Sequence, residues 1–177
     1  FKFFTAEGGL NKADIKEVLE YAASAHILPF EYNAESVNLM QMYAAHLRSI
    51  ISTGVGGDLS GMKIVVDAGN GAGGFFANNV LAPLGADISG SQFLDPDGTF
   101  PNHQPNPENK EAMESICNQV LKTGADLGII FDTDVDRSAA VTSEGKPISR
   151  NAIVALAAAI GADDYPDGTV VTDSITS

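Results

Sequence analysis

The stretch that most constrains this chain is residues 127–137. Leu127-Gly128-Ile129-Ile130-Phe131 is followed at once by Asp132-Thr133-Asp134-Val135-Asp136-Arg137. Five mostly apolar residues behind a glycine-containing turn predict a buried strand. Three aspartates at alternate positions then crowd its exit. Held about 5 Å apart, each pair of carboxylates repels by roughly 3 kcal/mol at an effective dielectric near 20. Arg137 brings one positive charge, which is too little for three carboxylates. A hard divalent cation is the natural complement, because oxygen ligands in a short loop suit Mg²⁺ or Ca²⁺. The place fits as well, since open α/β sheets carry ligands beyond the carboxyl ends of their strands.

Other readings of the same residues are a solvated acidic turn, a calcium-binding helix–loop–helix and a haloacid-dehalogenase-type phosphotransferase. The apolar strand running straight into the cluster weighs against the first. The second needs Gly at loop position six and Glu at position twelve, where this chain has Arg137 and Ser143. The third also places Asp-x-Asp after an apolar strand, as nucleophile and general acid. It normally wants Thr or Val two residues after the second Asp, where Asp136 stands.

At 177 residues the chain has room for one domain or slightly more and for a real core. A net charge of −13 argues against nucleic acid and anionic membrane surfaces as partners. No apolar run reaches membrane-spanning length and no signal peptide is evident. Cys117 is the single cysteine, which excludes an internal disulfide framework and fits a reducing, cytoplasmic setting. Phe1 falls within an apparent strand, 1–5, so the chain is expected to be a piece of a longer protein.

After that strand, Glu7-Gly8-Gly9 is expected to form a turn. Asn11 offers a helix cap, and Ile15, Val18, Leu19 and Ala22 supply one apolar face. Residues 27–32 suggest a linker. Asn33 is expected to open a helix over 34–52, striped by Leu39, Met40, Tyr43, Leu47, Ile50 and Ile51. A strand over 62–66 leads into Asp67-Ala68-Gly69-Asn70-Gly71-Ala72-Gly73-Gly74 and a helix through Leu84, with Gly85 behind it. Gly69, Gly71 and Gly74 formally match a dinucleotide-binding pattern. They serve a tight turn and close helix-on-strand approach equally well. A strand near 86–91 follows, then a proline-stiffened crossing, 100–107, in which His103 is expected to have no chemical role. Asn106 and Pro107 predict the start of a helix to Thr123, with Cys117 a small buried hydrophobe on its stripe. Beyond the aspartates come a strand at 138–142, a hairpin turn at 143–146 and a short return, Pro147-Ile148. Ser149 is expected to cap a helix over 150–160 that Gly161 ends, with a strand at 169–172. The order predicts an α/β fold with a mixed, mostly parallel sheet packed between helices.

Taken together, three stretches resemble the α-D-phosphohexomutases, the phosphoglucomutases and phosphomannomutases. They are 61–74, Phe100-Pro101-Asn102-His103, and Asp132 to Arg137, with 169–177 similar to the opening of that family's third domain. The resemblance implies four domains around one cleft in the parent, with a phosphorylated serine in the first and a Mg²⁺-binding aspartate loop in the second. It assigns 1–33 to the tail of domain one, 34–163 to domain two and 164–177 to a linker and the first strand of domain three. Asp132, Asp134 and Asp136 become the metal ligands, and Arg137 a catalytic residue near the phosphate. The implied activity moves phosphate between O1 and O6 of glucose or mannose, with a hexose phosphate as substrate. Thr133 and Val135 depart from the family's glycine and small residue, and their side chains are expected to point away from the metal. The serine loop has no counterpart here, so the fragment is not expected to catalyse alone. A non-catalytic cation-binding module and the dehalogenase-type phosphatase stand as alternatives.

Overall fold

A computed structural model describes residues 3–26 and 34–172. The chain divides into two compact units, 1–37 and 38–177. In the first, β1 (Phe4–Thr5) pairs antiparallel with β2 (Gly8–Gly9). The turn therefore sits at Ala6-Glu7, and the expected turn residues Gly8 and Gly9 form a strand instead. Thr5 Oγ1 makes the difference: it accepts the Glu7 N–H and donates to the Gly8 carbonyl, closing the hairpin early. Helix α1 (Lys12–Ser24) starts where expected. Asn11 Oδ1 accepts from the amides of Ala13 and Asp14, and Asp14 returns a bond to the Asn11 N–H. The expected 27–32 linker lies outside the described residues.

In the second unit, α2 spans Leu39–Val55 and is capped by Asn38, whose Oδ1 accepts from Gln41 N–H. The expected start at Asn33 is thus too early. Residues 34–38 carry no helix, and of the expected stripe Leu39, Met40, Tyr43 and Ile50 are exposed, while Leu47 and Ile51 pack with the buried Ala44 on the core. Gly56 ends it in the left-handed conformation, φ 70°.

Strand β3 (Ile64–Asp67) is buried along its whole length. It pairs parallel with β4 (Leu127–Phe131), which pairs antiparallel with β5 (Ser138–Thr142). Beyond β3, parallel bridges at Asp87 and Gln92 hold an irregular fourth segment. A continuous strand over 86–91 was expected. The chain instead turns at Ser89-Gly90, and Ser91 Oγ takes over as acceptor for the Val66 N–H. Side chains alternate across the sheet. Ile64 and Val66 pack on one face with Ala77, Val80, Leu81 and Ala44. Val65 packs on the other with Ile130, Val141 and the Ala112, Ile116 and Val120 stripe of α3 (Lys110–Thr123). Asn109, rather than Asn106, caps α3 by accepting from Ala112 N–H. Asn106 instead turns the chain just before it, accepting from Glu108 N–H.

The segment after the glycine turn is not a regular α-helix. Phe76–Leu81 winds widely, with Ala82 N–H reaching the Ala77 carbonyl, and Ala82–Leu84 tightens behind it. Pro83 has no N–H to give the Asn79 carbonyl four residues back. The Arg48 guanidinium on α2 donates there in its place. Helix α4 spans Arg150–Asp164 with Ser149 as cap. It runs through Gly161, which does not adopt a positive φ and so does not act as a stop. Residues 169–172 form no strand; a lone extended segment needs a neighbour to pair with, and it has none among the described residues.

Close approach at Gly74 is decisive for the layers. A Cβ there would lie 1.9 Å from the Leu94 carbonyl oxygen, whereas one at Gly54, inside α2, would meet nothing within 4 Å. In urea unfolding, Gly74→Ala should cost about 3 kcal/mol or abolish folding. Gly54→Ala should add about 0.5–1 kcal/mol. Equal midpoints for the two variants would contradict this packing.

Candidate functional site

Loop 132–137 connects β4 to β5 at the carboxyl end of β4. It is closed by its own ends: Asp132 N–H donates to the Arg137 carbonyl, 3.1 Å, and Arg137 N–H donates back to Asp132 Oδ1, 3.0 Å. Arg137 Nε reaches Asp132 Oδ2 at 2.9 Å and lies 3.5 Å from Asp136 Oδ1. Asp132 is 1% exposed, and a carboxylate so buried stands only where donors meet it. Arg137 supplies both donors. Asp134 and Asp136 are exposed.

Val135 sits at φ 67°, a left-handed conformation that β-branched residues rarely adopt and that costs about 1–3 kcal/mol. Its side chain packs against the Ile64–Val66 core face, which offsets that cost. The reversal there brings Asp136 back beside Asp132. One oxygen from each of Asp132, Asp134 and Asp136 lies within 4.8 Å of the others. Donors on opposite sides of a Mg²⁺ ion stand about 4.2 Å apart. The trio is therefore close to the span of one hard cation, and its two exposed members have room to rotate inward.

The electrostatics agree. Burial raises Asp132, but the Arg137 N–H, a hydrogen bond shared with Asp136 and the Arg137 guanidinium outweigh it and hold the carboxyl below its ordinary value. Asp136 is pushed up, first by the hydrogen bond with Asp132 and then by the charges of Asp134 and Asp132. Arg137 is raised in turn, chiefly by its hydrogen bond to Asp132. Neighbouring carboxylates of unequal support shift in opposite directions in this way, the better-donated one down and the other up.

The structure thus brings together all four residues singled out in the sequence. Behind the loop stand residues to which the sequence assigned no part in the site. Asp67, fully buried at the end of β3, accepts from Gly69 N–H at 2.9 Å and from Gln92 Nε2 at 2.7 Å. His103 Nε2 lies 3.0 Å from Asp67 Oδ2, and its Nδ1 lies 3.1 Å from the Gln104 carbonyl oxygen. The histidine expected to be an idle loop residue is 9% exposed and spans two acceptors. One signal was available: Asp67, like Asp132, follows an apolar strand directly. Asn106 Oδ1 faces Arg137 Nη1 at 3.4 Å. Gly71 leaves room for the Thr133 carbonyl, which a Cβ would approach to 2.7 Å. The glycine turn thus backs the aspartate loop.

These features define a three-layer α/β/α domain with a carboxylate loop at the mouth of its sheet. Residues 41–145 match the family model described as phosphoglucomutase/phosphomannomutase, alpha/beta/alpha domain II. The chain belongs to the phosphoglucomutase/phosphomannomutase family. A phosphomannomutase/phosphoglucomutase of Pseudomonas syringae pv. tomato is 30% identical over 173 residues, covering 98% of this chain and 36% of the relative. A phosphoglucomutase of Neisseria meningitidis serogroup A is 41% identical over 87 residues, 49% of this chain and 19% of the relative. The chain spans about a third of the length of the first of these relatives. A solved phosphoglucomutase/phosphomannomutase family protein from Burkholderia thailandensis shares the fold, with a TM-score of 0.67 at 22% identity over 93% of this chain and 41% of that one. Among the described residues no helix is long and apolar enough to cross a membrane.

The Asp136 shift predicts a sign. Its folded value lies above 3.8, so the fold favours the protonated form. That stabilisation is present below 3.8 and is lost as pH rises through the raised value. At neutral pH, with divalent cations chelated, Asp136→Asn should therefore unfold at higher urea than the wild type. The gap should close on acidification below the carboxylate range. A variant less stable than wild type at neutral pH would contradict the crowding.

Proposed function

We propose that this chain supplies the Mg²⁺ loop of a cytoplasmic phosphohexomutase that interconverts hexose 1-phosphate and hexose 6-phosphate. The sugar is glucose or mannose, and transfer passes through a phosphoserine contributed by another part of the full-length protein. Residues 1–33 are then the tail of its first domain, 34–163 the second domain, and 164–177 the lead into the third. The observation that carries the reading is the convergence of Asp132, Asp134 and Asp136 within 4.8 Å, in a family member, at the carboxyl end of the central strand.

All three donors are hard carboxylate oxygens, the set that suits Mg²⁺. The chemistry the ion supplies when bound is electrostatic, neutralising charge on a transferring phosphoryl group. The chain's own residues do the rest. Arg137 fixes Asp132 through Nε and its backbone N–H, so one ligand is set before any cation arrives. A guanidinium has five N–H donors. Those that Arg137 keeps beyond Asp132 and Asn106 are on a half-exposed side chain and can meet phosphate oxygens in a planar fork. The dehalogenase-type alternative normally wants Thr or Val two residues after the second Asp, where this chain has Asp136.

Three outcomes decide the matter. Mn²⁺ titrated into the full-length protein should bind at least about tenfold more weakly after Asp134→Ala. Unchanged affinity would remove the metal assignment. Chelation should abolish mutase activity on glucose 1-phosphate or mannose 1-phosphate, and Mg²⁺ should restore it. A full-length protein that binds Mn²⁺ through this loop but turns over neither sugar would be a cation-binding module instead.

A further inference from the structure

We propose that the buried Asp67–His103 pair is the positioning device of the aspartate loop, setting the spacing of its carboxylates from outside the ligand set. The proposal rests on the cation reading above.

Asp67 ends β3 one strand over from the loop, directly paired with Ile130. Its carboxylate is wholly buried and organises two segments at once. Oδ1 accepts from Gly69 N–H and so starts the glycine turn. Gly71 N–H continues that turn to the Ala68 carbonyl at 2.7 Å, and Ala72 N–H donates to the Thr133 carbonyl at 2.9 Å. Thr133 stands between Asp132 and Asp134, so this route ends on the backbone that spaces the first two carboxylates.

The second route runs through His103. The two ring nitrogens face oxygens on opposite sides, the Asp67 carboxylate at Nε2 and the Gln104 carbonyl at Nδ1. The ring stands edge-on to Phe93 at 5.3 Å. The crossing is thereby laid against the glycine turn so closely that a Cβ on Gly69 would come within 2.8 Å of Pro105 Cβ and 3.1 Å of His103 Cε1. Three residues on, Asn106 Oδ1 meets Arg137 Nη1, and Arg137 grips Asp132. The two routes thus leave one buried carboxylate and converge on opposite ends of the loop. Gln92 Nε2 completes the cage, donating to Asp67 Oδ2 and to Ser115 Oγ. No buried side-chain nitrogen or oxygen among the described residues is left unmatched. A set of contacts so fully used has one geometry, and a change at His103 reaches the loop through both segments.

The test is Mn²⁺ binding to the full-length protein, followed by electron paramagnetic resonance, with urea midpoints measured on the same variants. His103→Ala should weaken Mn²⁺ by about tenfold, the lower end of what outer-shell partners of metal ligands cost. His103→Gln, whose amide can still donate to Asp67, should recover most of that loss. A His103→Ala protein with a lowered urea midpoint and wild-type Mn²⁺ affinity would make the pair merely structural and overturn the proposal. If His103→Ala does not fold, Asn106→Ala decides on the half-buried crossing. Mn²⁺ weakened by about threefold or more supports the proposal, and unchanged affinity overturns it. Asp134→Ala run alongside separates the two ideas: wild-type Mn²⁺ binding there removes the loop as a cation site, whatever His103 does.

Discussion

Two aspartates at the ends of neighbouring parallel strands, Asp67 on β3 and Asp132 just past β4, lie almost wholly out of water. An ionised carboxylate in such a place is tolerable only when charged or N–H donors surround it. Meeting that demand shapes the whole upper edge of the sheet. Asp132 is answered by the residue that closes its own loop, Arg137. Asp67 is answered by a glycine turn, a glutamine on the irregular edge segment and a histidine on the crossing. The loop, the turn and the crossing are therefore held to the sheet by polar contacts, while the layers below are held by apolar ones.

The aspartate loop itself is under two kinds of strain. Its carboxylates are crowded, so that the hydrogen bond with Asp132 and then the charges of Asp134 and Asp132 lift Asp136, and Val135 is forced into a conformation that glycine would take freely. The Val135 side chain packs against the core and pins the loop from below. A loop anchored at Val135, closed by Arg137 and backed by Gly71 is preorganised, so little ordering is left for a ligand to impose.

Much of the fold was legible because it depends on local period and turn chemistry. The stripe at Ile116 and Val120, the apolar run of β3 and the caps at Asn11 and Ser149 each act within one element. Misjudged boundaries share a cause. Asn33, Asn106 and Gly161 all have the right chemistry for a helix end, and so do Asn38 and Asn109 nearby. Local chemistry does not choose among equal candidates. In the fold, Asn38 and Asn109 are the ones whose side chains accept from an amide of the first turn, Gln41 and Ala112. The break in the 86–91 strand and the wide turn before Pro83 depend on partners far away in the chain, Val66 and Arg48, and no window of sequence holds both members.

The aspartate trio could be named from sequence because its three members lie within five residues of one another, so any compact loop crowds them. The family signal in the glycine turn and the aspartate loop was equally local. What only tertiary structure decided is the support: Asp67, Gln92 and His103 are separated by 25 and 36 residues along the chain, yet share one buried set of hydrogen bonds. Such contacts arise because parallel strands return the chain to the same edge after each crossover, bringing distant polar residues into a site from which water is excluded. Burial then makes their pairing obligatory, and burial is a property of the packed layers rather than of any stretch of sequence.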